Sequence, residues 1–304
     1  MADLAIETVD LRKRYDEAGG VEAVRGLDLH VPVGSICGFL GRNGAGKTTT
    51  IKMLLGMTRP TAGTGRVLGL AIDDAASSVA IRRRTGFVSD DKDLYDAMAA
   101  GELIRFTARF FPAWRADLEQ KYVRRFEIPL HARVRTLSRG GRTKLALLLA
   151  LCRGADLLIL DEPTSGLDPA VTEDVLQALV AHVASAETTV FFSSHQIAEV
   201  DQIADHVAII DAGRAVVSGS LDDLRDAYRR VQLVFDGEPP AAAFRASGVQ
   251  RVKRSGRVMT VLTSGGSDPV VAEARALGAV SVDVAPVTLK EIFLETVAAE
   301  DSGA

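Results

Sequence analysis

The chain has 304 residues, of which 47% are apolar and 25% charged, so it can bury a sizeable core without a metal or disulfide staple. Its 36 Lys and Arg against 40 Asp and Glu leave a net charge of −4, which gives no electrostatic footprint for nucleic acid. The two cysteines, Cys37 and Cys152, sit in apolar runs without CxxC or Cys–His spacing and read as small buried hydrophobes of a reducing compartment.

The opening stretch MADLAIETVDLRKRY lacks the charged-then-apolar layout of a signal peptide. The longest apolar stretch, Leu145 to Cys152, is too short to cross a bilayer, so any membrane role is expected to come through a partner. SICGFLG reads as a buried strand, followed by a glycine-rich turn and a predicted helix over Lys47 to Met57 that RPTAGTG ends. Residues from about 92 to 136–140 read as a helical insert whose aromatics, Phe106, Phe110, Phe111, Trp114, Tyr122 and Phe126, are expected to pack rather than to bind a ligand. A helix is predicted over Ser138 to Cys152. DLLILDEP follows as a strand whose continuous apolar run suits a parallel strand covered on both faces. Helices over Pro169 to Ala184 and Gln196 to Ala204 then alternate with the strands TTVFFSSH and HVAIID. This alternation predicts α/β layers. A boundary is expected near Tyr228 to Val231, giving domains of residues 1–228 and 231–304. Beyond it the order is strand (VQLVF), helix (PPAAAFRA), two strands (VQRVKR and RVMTVLT), helix (DPVVAEARAL) and strand (VSVDVA). That is a split βαβ unit of ferredoxin-like type, closed by the helix LKEIFLETVAA. It offers no nucleophile or metal cluster and reads as a structural or regulatory module.

Two segments carry chemistry. Gly41-Arg42-Asn43-Gly44-Ala45-Gly46-Lys47-Thr48 fits GxxxxGK[ST] and lies between a predicted strand and a predicted helix, the context that motif requires. Its small residues let backbone N–H groups converge on phosphate oxygens, and the helix N-terminus adds partial positive charge. Lys47 in the first turn is unfavourable against the helix dipole unless a polyphosphate sits there. Thr48, with Thr49 beside it, is expected to reach the same site, the Thr48 hydroxyl on Mg²⁺. The second segment, Leu157 to Glu162, ends an apolar strand with two carboxylates at the sheet edge where α/β ligands bind. Asp161 is expected to hold the metal and Glu162 to polarise an attacking water.

Through these two segments and the motifs between and after them, the chain resembles the ATP-binding-cassette (ABC) ATPases over about residues 3 to 228. LSRGGRTKL at Leu137 to Leu145 resembles the family signature, SGLD at Ser165 to Asp168 its D-loop, and His195 after VFFSS its switch histidine. The resemblance implies a P-loop NTPase cassette with a helical insert, ATP and Mg²⁺ as ligands, and hydrolysis to ADP and phosphate. By it Glu162 and His195 are catalytic, and Tyr15 in LRKRY stacks on adenine, a contact worth roughly 1–3 kcal/mol. Gly41, Asn43, Gly44, Ala45, Gly46, Lys47 and Thr48 cradle the phosphates. Ser138 and Gly140 touch the γ-phosphate bound to a second copy, and Asp168 lines the same shared site. Two motifs depart from the family pattern. Arg139 and Gly141 alter the usual LSGGQ in a way that resembles exporter and resistance-type cassettes. Asp90 stands where a glutamine is usual; its carboxylate can still bind Mg²⁺ or water, at the cost of a negative charge near phosphates. A head-to-tail homo- or heterodimer is implied. So are a separately encoded membrane permease facing the insert and the Asp90 loop, and a peripheral place on the cytoplasmic face of the membrane. A soluble cassette serving cluster assembly, and an ATP sensor without turnover, stand as the alternatives.

Overall fold

The computed structural model describes residues 3–15, 20–186, 188–240 and 244–297. The chain packs as two compact units, Met1–Ser218 and Gly219–Ala304.

The first unit begins with β1 (Leu4–Tyr15) and β2 (Val21–Pro32), paired antiparallel. It continues with β3 (Ile36–Leu40), α1 (Lys47–Leu54), β4 (Ala62–Val67), β5 (Leu70–Ala71), α2 (Ala75–Arg84) and β6 (Thr85–Val88). The insert holds α3 (Ala100–Ala108) and α4 (Ala116–Arg125) and leads into α5 (Arg139–Leu151). Then come β7 (Leu157–Leu160), α6 (Pro169–Ala186), β8 (Thr189–Ser194), α7 (Ile197–Ile203), β9 (His206–Asp211) and β10 (Arg214–Ser220). Two sheets result, in the orders β2-β1-β4-β5 and β10-β9-β3-β8-β7-β6. In the second, β6, β7, β8, β3 and β9 run parallel. All residues of β3, β7 and β8 are buried, which is why they read as unbroken apolar runs rather than alternating ones. Their carboxyl ends lie side by side, because Leu40 pairs with Ser194 and Leu160 with Phe192. That edge is where the chemistry-bearing segments emerge.

Helix α1 is shorter than predicted. It stops at Leu54 because Gly56, at φ +60, turns the chain and bonds its N–H back to Met53. The insert aromatics divide. Tyr122 and Phe126 stack in the core, with ring centroids 5.3 Å apart. Phe106 and Phe110 stay on the surface, where with Tyr95 they form a run of edge-on contacts at 5.8 and 5.1 Å. Both cysteines are buried, and desolvation pushes each thiol up to about 12.

The second unit holds α8 (Leu221–Ala227), β11 (Tyr228–Val234), β12 (Val249–Ser255), β13 (Val258–Ser264), α9 (Asp268–Ala276), β14 (Ser281–Pro286) and α10 (Leu289–Val297). Its sheet order is β12-β13-β11-β14, antiparallel throughout, as a split βαβ unit requires. Val231, Leu233, Met259 and Val261 pack with Val270 and Ala274 of α9. The predicted helix PPAAAFRA falls partly on residues 241–243, outside those described; Pro239, Pro240 and Phe244 beside them are not helical. Pro240 disfavours helical backbone at Pro239, the residue before it. Among the described residues, no helix of either unit is long and apolar enough to cross a membrane.

Candidate functional site

The loop from Gly41 to Gly46 leaves β3 and enters α1. Gly46 lies at φ +106, and a Cβ there would stand 2.5 Å from the Ala23 carbonyl oxygen, so only glycine fits. The loop is tied down by Ala45, whose carbonyl accepts from the Gly213 N–H. It borders a cavity of about 230 Å³ lined by Asn43, Gly44, Gly46, Lys47, Thr48 and Thr49, and by Asp90 and Glu162 from elsewhere in the chain. Lys47 opens α1 and is nearly buried, its Nζ donating to the Gly41 carbonyl at 2.7 Å. A cation there works against the helix dipole. The compensating anion is Glu162, whose Oε1 lies 3.0 Å from Nζ.

Glu162 follows β7 and is held at four points. Its N–H donates to Ser193 Oγ at 3.0 Å, and the same hydroxyl donates to Asp161 Oδ1 at 2.6 Å. Its Oε2 lies 2.8 Å from His195 Nδ1. An ionised carboxylate only accepts, so the proton of this bond sits on Nδ1. Its carbonyl accepts from Lys92 Nζ at 2.7 Å. The fourth contact is the Lys47 ion pair, which lacks hydrogen-bond geometry and leaves buried Oε1 with no hydrogen-bond partner among the described residues. These grips hold Glu162 at φ +47, a left-handed conformation costly for a residue with a Cβ.

Behind the carboxylates, buried Glu199 accepts from Thr164 Oγ1 at 2.7 Å and Ser194 Oγ at 2.8 Å, which joins the segment after β7 to the end of β8. Asp90, half-exposed, lies 3.6 Å from Lys92 Nζ. Burial lowers the Lys92 pKa, and the carboxylate of Asp90 opposes that shift.

The structure gathers Asn43, Gly44, Gly46, Lys47, Thr48, Thr49, Asp90 and Glu162 around one cavity, with Gly41, Ala45, Asp161 and His195 one contact away. Besides those four, Tyr15, Ser138, Gly140 and Asp168 also do not line it. Tyr15 ends β1 with its ring part-exposed and the Lys13 ammonium 5.0 Å from the ring centroid. Ser138 caps α5, its Oγ accepting from the Gly141 N–H at 3.1 Å, and Gly140 lies in the first turn behind it. Asp168 Oδ1 accepts from the Val171 N–H at 3.0 Å at the start of α6. Sequence reasoning missed Lys92, Ser193 and Glu199, whose partners lie 70, 31 and 35 residues away along the chain. The oxygen donors Thr48, Asp161 and Asp90 suit a hard cation such as Mg²⁺, which is held by one or two carboxylates plus substrate phosphates rather than by a cage. The described residues hold no cluster of three or more His, Cys, Asp or Glu placed to bind a metal.

Comparison with known proteins bears on the family and the fold. Residues 24–165 match the family described as "ABC transporter", and residues 131–201 match an AAA domain described with a putative AbiEii toxin. The Nod factor export ATP-binding protein I of Cupriavidus metallidurans is 32% identical over 94% of this chain and 95% of its own length. The daunorubicin/doxorubicin resistance ATP-binding protein DrrA of Streptomyces peucetius is 37% identical over 73% of this chain and 67% of its own length. Among solved structures, an ATP-binding subunit of an ABC transporter superposes with a TM-score of 0.65 at 27% identity, covering 74% of this chain and 92% of that one. A dimeric cassette in a post-hydrolysis state with ADP and Pi shares the fold, with a TM-score of 0.65 at 20% identity over 71% of this chain and 98% of that one.

Proposed function

The chain belongs to the ABC transporter ATP-binding family, and on that premise we propose that it hydrolyses Mg-ATP at the Lys47–Glu162 cavity to drive export through a separately encoded permease. The observation that carries this reading is the pairing of Lys47 with Glu162 at 3.0 Å, at the mouth of a glycine loop. A triphosphate entering the cavity competes for Lys47 and releases Glu162 from its counter-ion. Oε1, buried without a hydrogen bond, then accepts a proton from water. The water oxygen bonds to the γ-phosphorus as the bond to the β–γ bridging oxygen breaks, yielding ADP and phosphate. His195 keeps the carboxylate aimed through Oε2. Thr48, Asp161 and Asp90 would hold Mg²⁺, which supplies charge neutralisation on the β- and γ-phosphates. Tyr15 provides the adenine platform.

Ser138 and Gly140, which do not line this cavity, serve the site of a second subunit in a head-to-tail dimer, and Asp168 lies at the same junction. The docking face for the permease is a cavity of about 260 Å³ lined by Phe87, Leu94, Phe111, Leu149 and Arg153, next to the surface aromatics Phe106 and Phe110. The chain would thus work peripherally, on the cytoplasmic face of the membrane. The test is Lys47→Ala, which removes the ammonium that opens α1 at the cavity. We expect loss of Mg-ATP binding and turnover, measured by nucleotide titration and phosphate release. Unchanged affinity and turnover would reject the site. Purification of the chain from native membranes should bring the permease with it.

A further inference from the structure

We infer that Lys92 is a positioning residue for catalysis: its ammonium clamps the Glu162 backbone and so fixes where the catalytic carboxylate stands. The inference rests on the reading of Glu162 as the general base. Lys92 is almost fully buried, and its Nζ donates to the Glu162 carbonyl at 2.7 Å. An ammonium in such a place is retained only with partners, since burial disfavours its charge. Here the partners are that carbonyl and the Asp90 carboxylate, 3.6 Å away. Both ends of the link have unusual backbones: Lys92 lies at φ +48 and Glu162 at φ +47. Two non-glycine residues in left-handed conformations, joined by one short bond, are what an over-determined site contains.

Glu162 has its amide fixed by Ser193, its carboxylate by His195 and Lys47, and its carbonyl by Lys92. A nucleotide draws Lys47 away, whereas Lys92 binds backbone and stays. It therefore holds the residue once the nucleotide is bound. This also gives the substitution at Asp90 a role, because the carboxylate balances the buried ammonium that holds the base. The Lys92 stem lines the cavity bounded by Phe87, Phe111 and Arg153, so the clamp lies within reach of whatever fills it.

The test compares wild type, Lys92→Met and Lys92→Arg, each alone and with Glu162→Gln, by steady-state and single-turnover hydrolysis of Mg-ATP and by ATP titration. Lys92→Met should lower kcat about tenfold or more, since small misplacements of a reacting group are costly in rate. ATP affinity should stay within about twofold. Lys92→Arg, which keeps a cationic donor, should recover most of the rate. In the Glu162→Gln background Lys92→Met should cost nothing further, because its effect passes through Glu162. Wild-type kcat in Lys92→Met, an equal loss in Lys92→Arg, or a loss that persists in the Glu162→Gln background would each overturn the inference. Absence of hydrolysis in the wild type would instead reject the reading of the site. Should Lys92→Met lose its cooperative melt, Lys92→Gln replaces it with the same expectations.

Discussion

At the scale of single residues, the site is a set of charges that neutralise one another until phosphates arrive. Lys47 faces Glu162 and Lys92 faces Asp90, while His195 Nδ1 is hydrogen-bonded to Glu162 Oε2. Tyr15 stands apart from this set, at the end of β1, and its proposed contact is a flat ring rather than a charge. We expect Tyr15→Ala to weaken ATP binding about tenfold or more, and Tyr15→Phe and Tyr15→Trp to keep affinity near wild type, as base stacking worth 1–3 kcal/mol implies. Titration of the purified variants with ATP measures this; three equal affinities would remove Tyr15 from the adenine contact. The residues that sequence reasoning named were those in contiguous motifs, where spacing alone fixes geometry, as in Gly41 to Thr48. Lys92 and Ser193 were invisible because their roles arise only when β6, β7 and β8 lie side by side. A lysine in a polar stretch such as DDKDLYD reads as solvated, and nothing local announces that it is buried.

At the scale of elements, the strands were the most legible part of the fold. The runs ICGFL, LLIL and TVFF are unbroken because both sheet faces are covered. The insert was less legible, since helix periodicity does not say which aromatics turn inward. Its inner side carries a titratable pair: Tyr122 of α4 lies 3.4 Å from His182 Nδ1 of α6. Burial depresses the His182 pKa to about 4, from an ordinary 6.5. The unfolded chain therefore binds a proton at His182 between about pH 6.5 and 4 that the folded chain does not. The stability this residue permits is fully present above pH 6.5 and is lost as pH falls through that window, by about 3 kcal/mol in all. We expect His182→Gln, measured by urea unfolding from pH 7.5 to 4.5, to be less stable than wild type at neutral pH and to lose less on acidification. Parallel pH profiles for the two proteins would contradict the assignment.

At the scale of the whole molecule, the chain divides its tasks. Every residue proposed for ATP chemistry lies in the first unit, while the second has its own core and its own polar sheet face. On that face Arg230 pairs with Glu291 of α10, and Arg251 and Lys253 pair with Glu295. We propose that the second unit folds and acts as a separate module. Removal of residues 221–304 should leave a protein that melts cooperatively and still gains thermal stability from Mg-ATP. Loss of that gain would mean the two units fold as one. If hydrolysis runs with Glu162 as base between two subunits, Glu162→Gln should separate binding from turnover. The substitution keeps shape and removes the basic carboxylate, so turnover should fall about 10²- to 10⁴-fold while ATP binding survives. With the γ-phosphate persisting between Lys47 of one copy and Ser138 and Gly140 of the other, size-exclusion chromatography should show an ATP-dependent dimer where the chain pairs with itself. Phosphate release, measured on the same samples, covers the case of a heteromeric partner. Suppressed turnover with ATP still bound is the result expected; wild-type hydrolysis by the Gln variant would contradict the account.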